Sequence, residues 1–204
     1  MRTLSFATLV VLSLGVAGYA IVAYSLLPMG SAVHPDMRPS FVTHRTAVFV
    51  HVFAAVFAMA LGPFQFLTLL RARRPGLHRL LGRLYLGLGV LVGGLAGLYL
   101  ATHAFGGPVS RFGFGGLAIA WLYTGARAYA AIRARDFVTH RRWMIRNFAL
   151  TFAAVTLRLW IPASLVSGLA FSAAYPVIAW LCWVPNLLAA EWWLGRARGR
   201  AVTS

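Results

Sequence analysis

The sequence predicts an all-α fold, a polytopic transmembrane helix bundle with about six spans, and three observations carry that expectation. Of 204 residues, 60% are hydrophobic and the mean hydropathy is +0.76. Only 11% are charged, too little polar surface to cover a water-soluble globule of this length. The apolar residues also come in long runs, and the basic residues fall between the runs rather than along one face.

A helical span needs roughly 20 mainly apolar residues, and backbone groups in hydrocarbon must be paired within the segment. The runs that meet this are Leu4–Leu27, Thr46–Leu70, Leu80–Thr102, Phe112–Ile132, Trp143–Leu165 and Ser172–Leu194, expected to form a single transmembrane domain over residues 1–204. The first follows Arg2 and is longer than a signal-peptide core of roughly 7–15 residues, so it reads as an uncleaved anchor. In the second, Gly62-Pro63 predicts a bend, because proline removes a ladder donor. In the third, Gly89, Gly93 and Gly97 recur every four residues, which lets a neighbouring helix approach closely. Trp143, Trp160, Trp192, Trp193 and Tyr24 near the ends fit interfacial belts.

All nineteen basic residues are arginine. With the N-terminus cytoplasmic, fifteen of them fall on the cytoplasmic side, three (Arg38, Arg45, Arg111) fall opposite, and Arg158 lies inside a span. This bias predicts a bacterial inner-membrane protein with both termini in the cytoplasm. The arginine-dense stretches "RARRPGLHRLLGR" and "HRRWMIR" should attract anionic lipid headgroups at about 1 kcal/mol per basic residue. They mark span ends and form no groove-reading face, so nucleic acid is excluded as a partner. The pentapeptide FVTHR occurs at 41–45 and again at 137–141, the spacing of an inverted repeat. The similarity stops after Arg45 and Arg141, so coincidence is the preferred reading.

Several chemistries are excluded. A P-loop needs a lysine, and the chain has none. Paired-carboxylate catalysis needs adjacent acids, whereas Asp36, Asp136 and Glu191 are scattered. A structural zinc site needs clustered Cys and His, and Cys182 stands alone.

The histidines are the remaining chemistry. His44 and His51 are seven residues apart, on one helical stripe and roughly 10 Å apart in rise. One metal ion with nitrogen ligands at roughly 2 Å is not easily held by that pair alone. His51 falls two turns into the apolar run, where an ionisable group usually faces the bundle interior. His103 ends the third span on the same side; His78 begins that span on the other, with His140 beside it. Histidines from different helices can hold a haem iron from both faces. His51 and His103 are therefore the axial candidates for haem b, His78 and His140 the candidates at the other end, and Arg158 the partner of a haem propionate. Against this, His78 and His103 are 25 residues apart, roughly 37 Å of helix, so they lie at opposite interfaces. Asp36, carbonyls near Pro162 or an anionic ligand could answer Arg158. Gln65 is expected to tie the second span to a neighbour.

The stretches "ALGPFQF" (60–66), "RRPGLHRLLGRLYLG" (73–87), "GLYLATHAFGG" (97–107) and "THRRWMIRNFALTFAAVTLRLWIP" (139–162) resemble a bacterial family of predicted multi-pass membrane proteins of unknown function. The resemblance spans roughly residues 44–165 and implies a helical membrane domain in which histidines and arginines matter, with no activity attached. The histidine layout is also similar to b561-type membrane cytochromes, which hold their ligands well within the bundle, as only His51 is placed to do here. The expected function is haem- or quinone-linked redox work in a pocket lined by His51, His103 and Arg158. The alternatives are a non-enzymatic transporter or binding protein for a small anionic ligand, and a structural partner subunit.

Overall fold

In the computed structural model, residues 3–202 are described, with side chains over 6–196. Arg2 therefore lies outside the described residues, as do the side chains of Arg198 and Arg200. Every secondary-structure element of the described chain is helical, and the helices run as six successive rods. The first is α1 (Thr3–Leu26). A 3₁₀ turn (Pro35–Met37) and the short α2 (Arg38–Thr43) lead to the second, α3 (Arg45–Leu61).

At Gly62-Pro63 the second rod tightens into a 3₁₀ turn (Pro63–Phe66) and ends, because Leu67 is extended at ψ 111°. The sequence had placed the end of that span at Leu70; residues 68–70 instead open α4 (Thr68–Arg73), a separate short helix. The third rod begins earlier than expected, at Pro75 rather than Leu80, with proline in the first turn where its missing N–H costs nothing. It runs through α5 (Pro75–Leu84), a π-helical stretch (Tyr85–Val92) and α6 (Gly93–Ala101).

The fourth rod is α7 (Gly107–Arg133). The fifth is α8 (Phe137–Thr151) followed directly by α9 (Ala153–Val166), and the sixth is α10 (Phe171–Leu181) with α11 (Val184–Val202). Five rods are long and apolar enough to cross a membrane among the described residues. The exception is α7, which is long enough but diluted by glycines (Gly113, Gly115, Gly116) and by Arg127. α6, α8 and α10 all pack against it. The outward faces of the other rods carry exposed Val11, Ile21, Leu95, Leu159 and Leu188, as a bilayer requires.

The predicted glycine stripe does what its spacing suggests. A Cβ on Gly89 would come within 3.0 Å of Ala58, one on Gly93 within 3.3 Å of Ala54, and one on Gly97 within 2.9 Å of the His51 ring. The third rod thus lies directly on α3, glycine against alanine and then glycine against histidine. The two FVTHR copies occupy different settings. The first breaks at the α2–α3 joint, where His44 belongs to neither helix; the second opens α8 after its N-cap Asp136.

Candidate functional site

Between α1, α3, α6, α7, α9 and α10 lies a cavity of about 280 Å³. His51, His103 and Arg158 all line it. His78 and His140 do not. His140 is tied to its own end of the bundle by Nδ1 at 2.8 Å from Ala128 O, and His78 Nδ1 is buried there without a hydrogen-bond partner.

α3 delivers His51 to the wall because its small residues let it sit flush against the glycine face of the third rod. The imidazole Nδ1 lies 2.8 Å from Gly93 O. A carbonyl only accepts, so Nδ1 carries the proton and Nε2 holds the lone pair. That is the pattern by which proteins orient a histidine that will ligate or accept a bond through its other nitrogen. Gly93 is the first α-helical residue after the π-helical stretch, an irregularity often found beside functional sites.

Arg158 projects from α9 into the same space. Its Nη1 donates to Ala154 O at 2.9 Å, and the guanidinium lies 5.4 Å from the centroid of the Tyr19 ring on α1. No carboxylate meets it. The chain has three acids, and each is engaged elsewhere: Asp36 lies 3.5 Å from His34, Asp136 Oδ1 accepts the Thr139 amide at 2.9 Å, and Glu191 accepts Arg146 Nε and Nη2 at 2.5 and 2.7 Å. The carbonyl that Pro162 leaves free within α9 is that of Arg158 itself, so proline does not supply the partner expected from the sequence.

His103 sits at the mouth of the cavity. Its ring lies tilted against that of His44, with centroids 4.0 Å apart. Because His44 stands at the start of α3 and His51 seven residues on, His103 lies roughly 10 Å of helix rise above His51. The two rings thus stand at different depths of one cavity rather than face to face across a single atom.

The opposite end of the cavity is closed by Trp121 and Thr151, the near edge of a buried hydrogen-bonded cluster. Tyr85 Oη donates to Asn147 Oδ1 at 2.7 Å and lies 2.9 Å from Thr151 Oγ1. Trp121 Nε1 donates to Thr151 Oγ1 at 2.8 Å, and Asn147 Nδ2 donates to Trp121 O and Thr124 Oγ1, both at 2.8 Å. Tyr85 and Asn147 are each 0% exposed.

Sequence reasoning passed over several members of this neighbourhood. Tyr24 was placed in an interfacial belt, yet it lines the cavity beside Arg158. Tyr175, Thr151 and Trp121 sit in apolar runs that gave no sign of a polar lining. Gln65 was expected to tie two rods together. It is buried next to Gly82, but its Nε2 finds no hydrogen-bond partner. Among the described residues, no three of the His, Cys, Asp or Glu side chains lie close enough to hold a metal ion.

No curated protein and no solved structure matches the chain. Residues 48–194 match the family model described as predicted membrane protein (DUF2306). The exposed apolar rods, the helical architecture and the span of that match lead to one conclusion: the chain is a membrane protein that belongs to the DUF2306 family.

Proposed function

We propose that this protein binds, within the bilayer, an amphiphile whose apolar body fills the cavity and whose anionic or carbonyl-bearing head meets Arg158 and His51. Arg158 carries the proposal. It is a permanent cation on an apolar wall, and all three acidic side chains, Asp36, Asp136 and Glu191, are engaged elsewhere. An unpaired charge removed from water is strongly unfavourable, and a ligand that brings the countercharge or a strong acceptor offsets that cost. His51 adds a second polar contact through Nε2. At about 280 Å³ the cavity is at the small end of the range for small-molecule sites. That suits one ring or one acidic head, with a tail leaving between helices. Quinone-class lipids have this shape, and a redox-linked role would follow from them.

A second reading, haem b, draws on one observation: with Nδ1 bonded to Gly93 O, His51 Nε2 would be free to hold iron, and Arg158 in the same cavity would meet an acidic group of the cofactor. His103 is then not the opposite ligand, since it sits at the mouth. The group would supply one-electron chemistry; His51 and Arg158 would hold and orient it. Transport of a small anion remains the third reading. It draws on the break at Gly62–Leu67, but α9 stays helical through Pro162.

The membrane setting extends the proposal. Both termini face the cytoplasm of a bacterial inner membrane, and the arginine-rich end meets anionic headgroups. Reporter fusions at each terminus check the orientation.

One preparation separates the ligand readings. The protein is purified in mild detergent, and its ultraviolet–visible spectrum and native mass spectrum are recorded. The amphiphile reading expects a co-purified mass, extractable by organic solvent, that Arg158→Gln loses. A Soret band that shifts on dithionite and vanishes in His51→Ala assigns haem instead. A protein with no bound mass, no band and no change on Arg158→Gln overturns both.

A further inference from the structure

The chemistry left unassigned concentrates where His103, which lines the cavity, meets His44, which lines a second pocket beside it. His44 forms the joint between α2 and α3, and the third rod ends beside it at residues 99–103. The two imidazoles are tilted by 40° with centroids 4.0 Å apart. Each is held from its Nδ1 side. His44 Nδ1 lies 3.0 Å from Tyr99 Oη, and His103 Nδ1 lies 3.2 Å from Tyr99 O and 2.9 Å from Thr102 Oγ1. Thr102 Oγ1 donates its own proton to Tyr99 O at 2.7 Å, so both oxygens facing His103 Nδ1 are acceptors. That ring therefore carries its proton on Nδ1 and its lone pair on Nε2. Tyr99 Oη both donates and accepts, so it holds His44 at Nδ1 in either tautomer, and the tautomer that donates from Nδ1 leaves the lone pair on Nε2 as in His103. Ser40 Oγ donates to His103 O at 3.2 Å, which pins α2 to the end of the third rod and fixes the distance between the rings.

Two adjacent imidazoles, each anchored through Nδ1 with Nε2 left over, are the arrangement that orients histidines for a metal ion. We propose that His44 and His103 form a two-imidazole site for a divalent transition metal of the copper–zinc class at the mouth of the cavity. Two nitrogens bound to one ion at about 2.0–2.1 Å in a tetrahedral arrangement stand roughly 3.3 Å apart, a spacing compatible with ring centroids 4.0 Å apart. The remaining coordination positions fall to water or to the head of whatever the cavity holds. Two imidazole nitrogens suit ions that prefer neutral nitrogen ligands, whereas calcium and magnesium take oxygen ligands. His34 plays no part, since it stacks on Phe171 and faces Asp36. The proposal does not depend on what fills the cavity.

The test uses full-length, untagged, chelator-stripped protein in detergent, titrated with Cu²⁺ and followed by electron paramagnetic resonance, with Zn²⁺ as competitor. One equivalent should give a nitrogen-coordinated copper signal that a large excess of zinc displaces. His44→Ala and His103→Ala should each weaken binding at least tenfold, and His34→Ala should leave it unchanged. Tyr99→Phe, which removes the oxygen facing His44 Nδ1, should weaken it roughly tenfold. His44→Gln keeps side-chain volume and polarity, so it covers the case in which the alanine variants do not fold; it too must weaken binding tenfold. Copper that fails to bind stoichiometrically, or that binds equally well without both histidines, overturns the proposal.

Discussion

Two polar regions lie side by side in the apolar interior, and they solve the same physical problem differently. In the cluster of Tyr85, Trp121, Thr124, Asn147 and Thr151, the chain supplies its own partners, at 2.7 to 3.1 Å. Across the cavity, Arg158 has a carbonyl of its own helix and an aromatic ring, and His51 has one bonded nitrogen and one with no hydrogen bond among the described residues. Buried polar groups are costly unless paired. A closed set of bonds therefore marks groups that hold rods together, and an open set marks groups that something from outside must complete. The closed cluster joins the third, fourth and fifth rods; the open one faces 280 Å³ of space.

The largest expected effect comes from breaking the closed cluster. Asn147→Leu removes the acceptor of Tyr85 Oη and the donor to Thr124 and to Trp121 O, leaving buried polar atoms unpaired. We expect a loss of about 3 kcal/mol in unfolding free energy, measured by steric trapping or detergent–denaturant titration. Arg158→Met, of similar length, should behave in the opposite way. Replacing an uncompensated charge by an apolar side chain should leave stability unchanged or raise it by about 1 kcal/mol. Equal losses in both variants would erase the distinction between the two regions.

Ligand retention sharpens the contrast from the other side. Arg158→Met should reduce the co-purified ligand at least tenfold, or roughly 1.4 kcal/mol. Asn147→Leu, measured on the folded fraction, should retain it. Native mass spectrometry of matched preparations reads both.

How much of this was legible beforehand divides along the same line. Rods, their order and the glycine stripe follow from apolar run length and four-residue spacing, properties local to one segment. The three residues expected in a pocket, His51, His103 and Arg158, were visible because a charged or titratable side chain in an apolar run stands out by itself. The cluster of Tyr85, Asn147 and Thr151 was not visible. Each is unremarkable on its own helix, and its meaning comes from partners 62 and 66 positions away. Nor could the sequence set the depth of His103 relative to His51, which depends on how far the third rod slides along α3. The end of the second rod was misplaced because Leu67–Leu70 is apolar whether or not the helix continues, and only the backbone of Leu67 decides.

A smaller effect is expected where a charged pair is closed but half in water. Arg146 holds Glu191 and lies 4.8 Å from the centroid of the Trp143 ring, while Arg127 lies 4.9 Å from the same centroid. The carboxylate is 45% exposed, so solvent screens the pair. Arg146→Ala should cost about 1 kcal/mol, and part of that is lost stacking rather than charge. A double cycle with Glu191→Gln separates the two, and the coupling should shrink as salt is raised.

Asp136 should show the smallest effect, and it completes the rule. Its carboxylate caps α8 by accepting the Thr139 amide, which holds its pKa below the ordinary carboxylate value. The depressed value means that the folded state favours the ionised form. The contribution is therefore present above the unfolded pKa, near 4, and is lost as pH falls through the folded value. Asp136 stands fully in water, so when it protonates, solvent takes over the freed amide. Asp136→Asn should thus leave stability at neutral pH nearly unchanged and flatten only the acid limb of a melting-temperature profile below about pH 4. An effect at neutral pH as large as that of Asn147→Leu would show that closure of the bonds alone sets the cost. A small one shows that closure counts for as much as it does at Asn147 because no water is there to replace it.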